Sequence, residues 1–360
     1  MKQQQNARAG HLTLRRRDAS PSRNRSSPDR MKRRDLLALL SIACFLLPLP
    51  VRAQQSAQIR RLGVLLNLSE NDLEAQRLVT AFREELTRLG WADGRNLRVD
   101  YRWTAGDVNR ARVFAKELVE LSPHIIVGYG TPSVVALQRE THSIPIVFVL
   151  VADPVSQGIV ASLAHPGGNV TGFQDFEISL GTKWMEVLTE IAPNIKRVTV
   201  IFNPKTAPYH PLYLRAMEKA ALSIAVELIA VEVHDDAEIE RAISDVGREP
   251  NDGLFVLPDT FNRIHHRTII ALADRYRLPA VYFSPFFARE GGLISYGPDE
   301  IDMVQRTVGY VDRILKGDKV TDLPVQQPTK FQLIINQKTA RALGLTVPQM
   351  LLARADEVIE

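Results

Sequence analysis

The sequence predicts an α/β fold: two doubly wound lobes, each on a parallel sheet, joined by a hinge. Three observations predict it. Strand-like runs alternate with helical ones over roughly three hundred residues, which is more than one core organises comfortably and suits two lobes. Several runs, Ile144–Val151 above all, are apolar without a break, as strands buried on both faces of a parallel sheet are. The second half also repeats the punctuation of the first. Arg61-Leu62-Gly63-Val64-Leu65-Leu66-Asn67 is echoed by Arg197-Val198-Thr199-Val200-Ile201-Phe202-Asn203, Ile125–Thr131 by Leu254–Thr260, and Ile144-Pro145-Ile146-Val147 by Leu278-Pro279-Ala280-Val281. The identities are few, so this is a structural echo.

In the first half the strands are expected at Leu62–Leu66, Leu97–Tyr101, Ile125–Tyr129, Ile144–Val151 and Val170–Phe173. Amphipathic helices are expected near Asp72–Leu89, Val108–Leu121, Pro132–Glu140 and Val155–Leu163. The N-terminal lobe is placed at 59–173 with 292–318 returning to it, and the C-terminal lobe at 174–291 with 319–360 joining it. The chain is expected to cross between lobes near Phe173–Ser179, Gly291–Gly292 and Lys316–Leu323.

Charge bears on compartment. The chain carries 45 Lys+Arg against 41 Asp+Glu, with an isoelectric point near 9.2, a balance that would ordinarily suggest nucleic acid or a membrane surface. The excess is confined to residues 1–53, which hold 12 basic and 3 acidic residues and leave a body with a net charge of −5. A nucleic-acid partner is therefore not expected. Lys32-Arg33-Arg34 precedes an apolar stretch, Leu36–Pro50, that ends at Val51-Arg52-Ala53, the pattern of a cleavable export signal over 31–53. Arg33-Arg34-Asp35-Leu36-Leu37 also fits a twin-arginine signal, so either general secretion or twin-arginine export is open. Residues 1–30 are either a disordered basic extension or lie before a start at Met31. Cys44, the only cysteine, sits in the apolar stretch in a poor lipobox, so a lipid anchor is disfavoured. The mature body has no cysteine, hence no disulfide and no thiol chemistry.

Enzyme signatures are missing. Gly128-Tyr129-Gly130 starts like a dinucleotide fingerprint but has Ser133 where the third glycine belongs. There is no Gly-x-Ser-x-Gly elbow, P-loop or His-Glu-x-x-His. His265 and His266 are adjacent, so on a helix they diverge by about 100° and cannot share a metal as an i, i+4 pair would. They are expected to be solvated. No cofactor, metal or catalytic residue is expected.

The ADPV turn at 152–155, HPGGNVTG at 165–172, GGLISYGPD at 291–299 and the closing TARALGLTVPQMLLARADEVIE at 339–360 resemble the substrate-binding proteins of a bacterial ABC transporter family. Its better-known members take up tryptophan and related amino acids. The resemblance runs from about Arg61 to the end. It implies a type I periplasmic-binding fold, no bond-making activity, an interlobe cleft for a small ligand such as an amino acid, delivery to ABC permease subunits in the inner membrane, a periplasmic location and a monomer. The alternative is an exported sensory domain that reports a ligand to a membrane receptor or regulator.

Strand ends in open α/β sheets face the ligand crevice, which selects the candidate residues. Gly130 and Thr131 open a helix whose free N–H groups suit a carboxylate, or form an ordinary capped turn. Asp153 and, in the facing lobe, Asp259 with Thr260 end strands, where they either hold an ammonium group or cap helices, Asp153 with Pro154 at the first helical position. Asn67, Ser69, Asn203, Ser284 and Tyr296 end other strands and offer hydrogen bonds or serve as turn residues. Among Tyr129, Phe173, Phe283, Phe286 and Phe287, Phe283 is expected in the core, and Phe286 and Phe287, which follow Ser284-Pro285 at a strand end, are the aromatics expected to reach the cleft.

Overall fold

The structure is a computed structural model and describes residues 59–175, 177–248 and 251–360. The basic extension, the export signal and Cys44 lie outside the described residues. The first sheet contains β1 (Arg60–Leu66), β2 (Leu97–Trp103), β3 (Ile125–Tyr129), β4 (Ile146–Val151) and β5 (Val170–Gln174), all parallel and ordered β2-β1-β3-β4-β5. The second contains β6 (Arg197–Phe202), β7 (Glu227–Glu232), β8 (Asp252–Val256), β9 (Ala280–Tyr282), β10 (Ile294–Pro298), β11 (Phe331–Asn336) and β12 (Glu357–Ile359). Its order is β7-β6-β8-β9-β10-β11-β12, parallel except for the antiparallel β10–β11 pair. The five strands β7-β6-β8-β9-β10 thus reproduce the order of the first sheet, so the sequence echo corresponds to a repeated architecture. In both sheets the order reverses between the first strand and the third, β1/β3 and β6/β8, and such switch points are where open sheets form crevices.

Helices cover both faces of the first sheet. One core layer joins the sheet to α1 (Leu73–Arg88) and to α10 (Glu300–Leu315) through Leu78, Phe82, Val304, Val308 and Val311. The other joins it to α2 (Val108–Glu120) and α3 (Thr131–Glu140) through Ala111, Ala115, Leu118, Val134 and Leu137. Aspartates start several helices because their short side chains accept the otherwise unpartnered first N–H groups. Asp72 takes Glu74 and Ala75, Asp107 takes Asn109 and Arg110, and Asp299 takes Asp302. The second sheet shares one core with α4 (Leu180–Ile191), α5 (His210–Ser223), α6 (Asp236–Val246), α7 (Thr260–Ile264), α8 (His266–Arg275), α9 (Pro285–Arg289), α11 (Gln337–Ala342) and α12 (Gln349–Arg354). Fully buried Trp184 anchors it, 4.8 Å from Phe255 by ring centroid and donating from Nε1 to the Tyr296 carbonyl at 2.7 Å.

Three sequence expectations are corrected. Val155–Leu163 forms turns and bends with no helix, closed by Ile159 N–H to Pro154 O and Ala161 N–H to Pro166 O. The second crossing lies at Pro298–Glu300, because Gly291–Gly292 is followed by β10, which remains in the second sheet. The third lies between Gln326 and Phe331: Val320 and Leu323 are still in the first lobe's core, and Gln326 bonds β5 on both sides, to Gly172 O and from Gln174 N–H. The first crossing follows Gln174, and α10 packs on the first lobe.

The glycines of the NVTGF and SYGPD motifs have a shared cause. A Cβ on Gly172 would overlap the Phe148 carbonyl, and one on Gly297 the Phe283 carbonyl, so in each lobe the fifth strand approaches its neighbour at a distance only glycine permits. Gly297→Ala is expected to destabilise the fold by about 1–3 kcal/mol through overpacking. Urea denaturation measures it, and an unchanged midpoint would mean that the strands part without cost.

Candidate functional site

The two switch points meet. Asn67 follows β1 and Gly130-Thr131 follow β3, while Asp259-Thr260 follow β8. Together with Tyr129, Leu150, Asp175, Tyr209, Pro258, Arg263, Phe283 and Glu300 they line one interlobe cavity. Its volume is about 40 Å³, far below the several hundred cubic ångströms of ordinary ligand pockets, so an incoming ligand requires the lobes to part. Across the seam Asn67 Nδ2 donates to Thr260 Oγ1 at 2.7 Å. A Cβ on Gly130 would overlap Asn67 Nδ2, and Gly130 has φ +78°, so glycine meets both demands of that turn. Asn67 Oδ1 is buried without a hydrogen-bond partner among the described residues, an unmet demand on a cavity wall.

A buried ion pair closes one end of the cavity. Arg263 of α7 meets Glu300 in two hydrogen bonds of 2.8 Å, Nη1 to Oε1 and Nη2 to Oε2, and the Ser284 hydroxyl donates to Oε1 at 2.5 Å. Tyr129, from the first lobe, donates its hydroxyl to Oε2 at 3.1 Å. The guanidinium also lies over the Phe286 ring, 4.5 Å from its centroid. Burial alone pushes the Glu300 carboxyl up, and the Arg263 charge with the four hydrogen bonds outweighs it and holds the group below its ordinary range. Burial opposes the Arg263 charge, and Glu300 more than offsets that and raises its pKa. Burial pushes the Tyr129 phenol well up.

Asp259 is occupied within its own lobe. Its Oδ2 accepts from Asn203 N–H at 2.7 Å, and its Oδ1 accepts from Phe261 N–H at 3.0 Å and from the Thr206 hydroxyl. It therefore caps α7 and ties three loops together, while desolvation raises its carboxyl to about 6 against those hydrogen bonds.

Of the residues expected from sequence to reach the ligand, Asn67, Gly130, Thr131, Asp259 and Thr260 are brought to the cavity, and seven are not. Asp153 is half-buried and its carboxylate accepts Ser156 N–H in a turn, so it caps no helix. The Asn203 side chain accepts Lys205 N–H, and the Ser69 carbonyl accepts Asp72 N–H. Tyr296 stacks on Phe331 at 5.8 Å. Ser284 and Phe286 line a neighbouring hollow of about 160 Å³ on the far side of Glu300, Phe287 is fully buried in the second lobe's core, and it is Phe283, expected as core, that lines the cavity. His266 is buried, its ring bonded to the Arg263 carbonyl at 2.8 Å and its pKa lowered by desolvation, so the expectation of two solvated histidines is corrected; His265 is partly exposed and bonds Asp236. Sequence reasoning missed Asp175, Tyr209, Arg263 and Glu300. For Glu300 a signal was present, since GGLISYGPDE puts a second acid directly behind the capping Asp299 at a helix start.

The sequence model of the ABC transporter substrate binding protein family matches residues 62–359. A tyrosine-binding protein of Clostridioides difficile is 27% identical over 265 residues, covering 73% of this chain and 75% of that protein. A conserved domain protein from Vibrio cholerae of known structure is 30% identical, with a TM-score of 0.77 over 84% of this chain and 100% of that one. Two structures at 24% identity share the fold. One, from Streptococcus pneumonia in complex with L-Trp, superposes at a TM-score of 0.77 over 83% of this chain and 99% of that one. The other, a ligand-free open structure of a Clostridium difficile substrate-binding protein with adhesive properties, superposes at 0.63 over 84% and 99%. With a match that spans both lobes and all three crossings, this chain belongs to the ABC transporter substrate binding protein family.

Proposed function

We propose that the protein is the periplasmic solute-binding component of an ABC importer, that it closes its two lobes on an amino acid, and that it hands this ligand unchanged to permease subunits. The observation that carries the ligand class is Asn67 Oδ1, a buried acceptor without a partner among the described residues, at the switch point of the first lobe. A ligand ammonium group is the donor that it and the nearby Asp175 carboxylate suit. Beside Asn67, the start of α3 at Thr131 carries no side-chain cap, and its first N–H groups suit a carboxylate. Tyr129, Leu150, Tyr209 and Phe283 supply apolar wall. The relatives add weight: one is named for tyrosine and another was solved with L-Trp. Proteins of this family are typically periplasmic or extracellular, and among the described residues no helix is long and apolar enough to cross a membrane.

A thermal-shift screen of the mature protein against the L-amino acids tests the reading. At a ligand concentration a hundred times Kd the native state gains about 2.7 kcal/mol, a shift of several degrees in Tm. Calorimetry with the best ligand should show saturable binding, and the ligand should be recovered unaltered. No shift with any amino acid overturns the ligand class; a converted product overturns the carrier role.

A further inference from the structure

The central cavity does not end at Thr131. That residue also lines a second hollow of about 220 Å³, bounded by α2 and α3 of the first lobe and by the loop after β6 of the second. Three cations face it: Arg112, Arg139 and Lys205. Thr131 and Arg139 lie eight residues apart on α3, two steps of four, and so share one helix face. Arg112 comes from the neighbouring α2, and Lys205 is carried in by the other lobe. No acidic side chain is among the lining residues. The three cationic side chains are exposed, and none of them forms an ion pair or hydrogen bond among the described residues.

Two points separate this groove from an ordinary solvated basic surface. It is built from both lobes, so closure brings Lys205 toward Arg112 and Arg139, and gathering like charges is unfavourable unless an anion lies among them. It also joins the cavity through Thr131, a residue 7% exposed that lines both hollows. Thr206, whose hydroxyl bonds Asp259 on the cavity side, forms part of the groove wall as well.

We propose that this groove is a second ligand subsite and that it takes an anionic oxygen group, a phosphate ester or a further carboxylate, on an amino acid whose backbone end lies in the central cavity. The inference rests on the amino-acid reading above and narrows it to ligands with an additional negative charge. Arg112 and Arg139 supply planar donors matched to such groups, and Lys205 completes the site on closure, so the anion links the lobes directly.

Calorimetry on the mature protein with paired probes tests it: L-tyrosine against O-phospho-L-tyrosine, L-serine against O-phospho-L-serine, and L-phenylalanine against 4-carboxy-L-phenylalanine. At least one anionic probe should bind tenfold or more tightly than its neutral parent, and the gain should shrink as salt rises. A gain in the phospho pairs alone assigns a phosphate ester, and one in the carboxy pair alone a carboxylate. In the Arg112→Gln/Arg139→Gln double variant, and separately in Lys205→Gln, the ratio of the two affinities should fall toward one. The inference is overturned if no anionic probe outbinds its parent, or if the ratio survives in the variants. Should neutral amino acids bind while the anionic ones do not, the subsite falls and the amino-acid reading stands; should none bind, both fall.

Discussion

Glu300→Ala is expected to cost the fold about 3–5 kcal/mol, because it leaves the Arg263 guanidinium buried without its counter-ion. The pair is well enclosed, its side chains 9% and 7% exposed, and four hydrogen bonds converge on the carboxylate: two from Arg263 and one each from Ser284 and Tyr129. Removing it also leaves the hydroxyls of Ser284 and Tyr129 without that acceptor. Surface ion pairs of the kind formed by Arg88 with Glu85 contribute at most about 1 kcal/mol, so an effect of this size belongs to burial. The loss should appear in urea denaturation as a lowered midpoint with an unchanged slope. A loss below about 1 kcal/mol would show that Arg263 reaches water and that the interlobe seam is looser than its hydrogen bonds indicate. The double replacement Arg263→Met/Glu300→Leu separates charge from packing. Removing both charges together should recover most of the loss, since a matched apolar pair avoids the desolvation cost.

The fold was legible because strands buried on both faces leave an uninterrupted apolar record. Ile125–Tyr129 falls at the predicted bounds, and Val108–Glu120 and Val170–Gln174 fall within a residue of them. The repeated Asn at Asn67 and Asn203 marked equivalent strand ends. Helical pattern failed at Val155–Leu163, where Gly158 adopts φ +69° and the chain turns back on itself. The crossings were misplaced for a different reason: Gly291–Gly292 reads as a hinge, but it is the tight turn between α9 and β10, and sequence cannot tell one sharp turn from another.

The site was legible only as far as the strand-end rule holds. It found Asn67, Thr131 and Thr260, and it failed at Asp153 because β4 does not end regularly. Pairing with β5 slips between Val149 and Val151, and Leu150 at that irregularity takes φ +56°. A slip of one residue exchanges the faces of everything beyond it, so Leu150 reaches the cavity while Asp153, itself at φ +37°, turns outward. A non-glycine residue at positive φ in a strand leaves no trace in composition or periodicity. Arg263 and Glu300 were hidden by separation, since a pair 37 residues apart, on elements of opposite lobes, has no spacing rule.

Asp259 should make stability depend on pH in the direction opposite to most carboxylates. Burial raises its pKa from 3.8 to about 6, so the native state holds a proton that the unfolded chain has already released. Its favourable contribution is therefore complete below about pH 3.8 and is lost as pH rises through about 6. A difference of about two pKa units corresponds to about 3 kcal/mol. Groups with depressed values such as Asp100, held low by Arg61, work the other way and mask the effect in the wild type. Comparison with Asp259→Asn isolates it. Asparagine cannot ionise, and it cannot reproduce the cap, because its amide N–H must face either the Asn203 or the Phe261 N–H, each of which now bonds a carboxylate oxygen. One backbone donor then lacks an acceptor, a loss of about 1–3 kcal/mol that does not vary with pH. Unfolding free energies of the two proteins, measured at intervals from pH 3 to pH 7, should show the wild-type advantage shrinking by about 3 kcal/mol as pH rises. A constant gap would mean that the three donors keep Asp259 ionised throughout and that its burial is fully offset by the cap it forms.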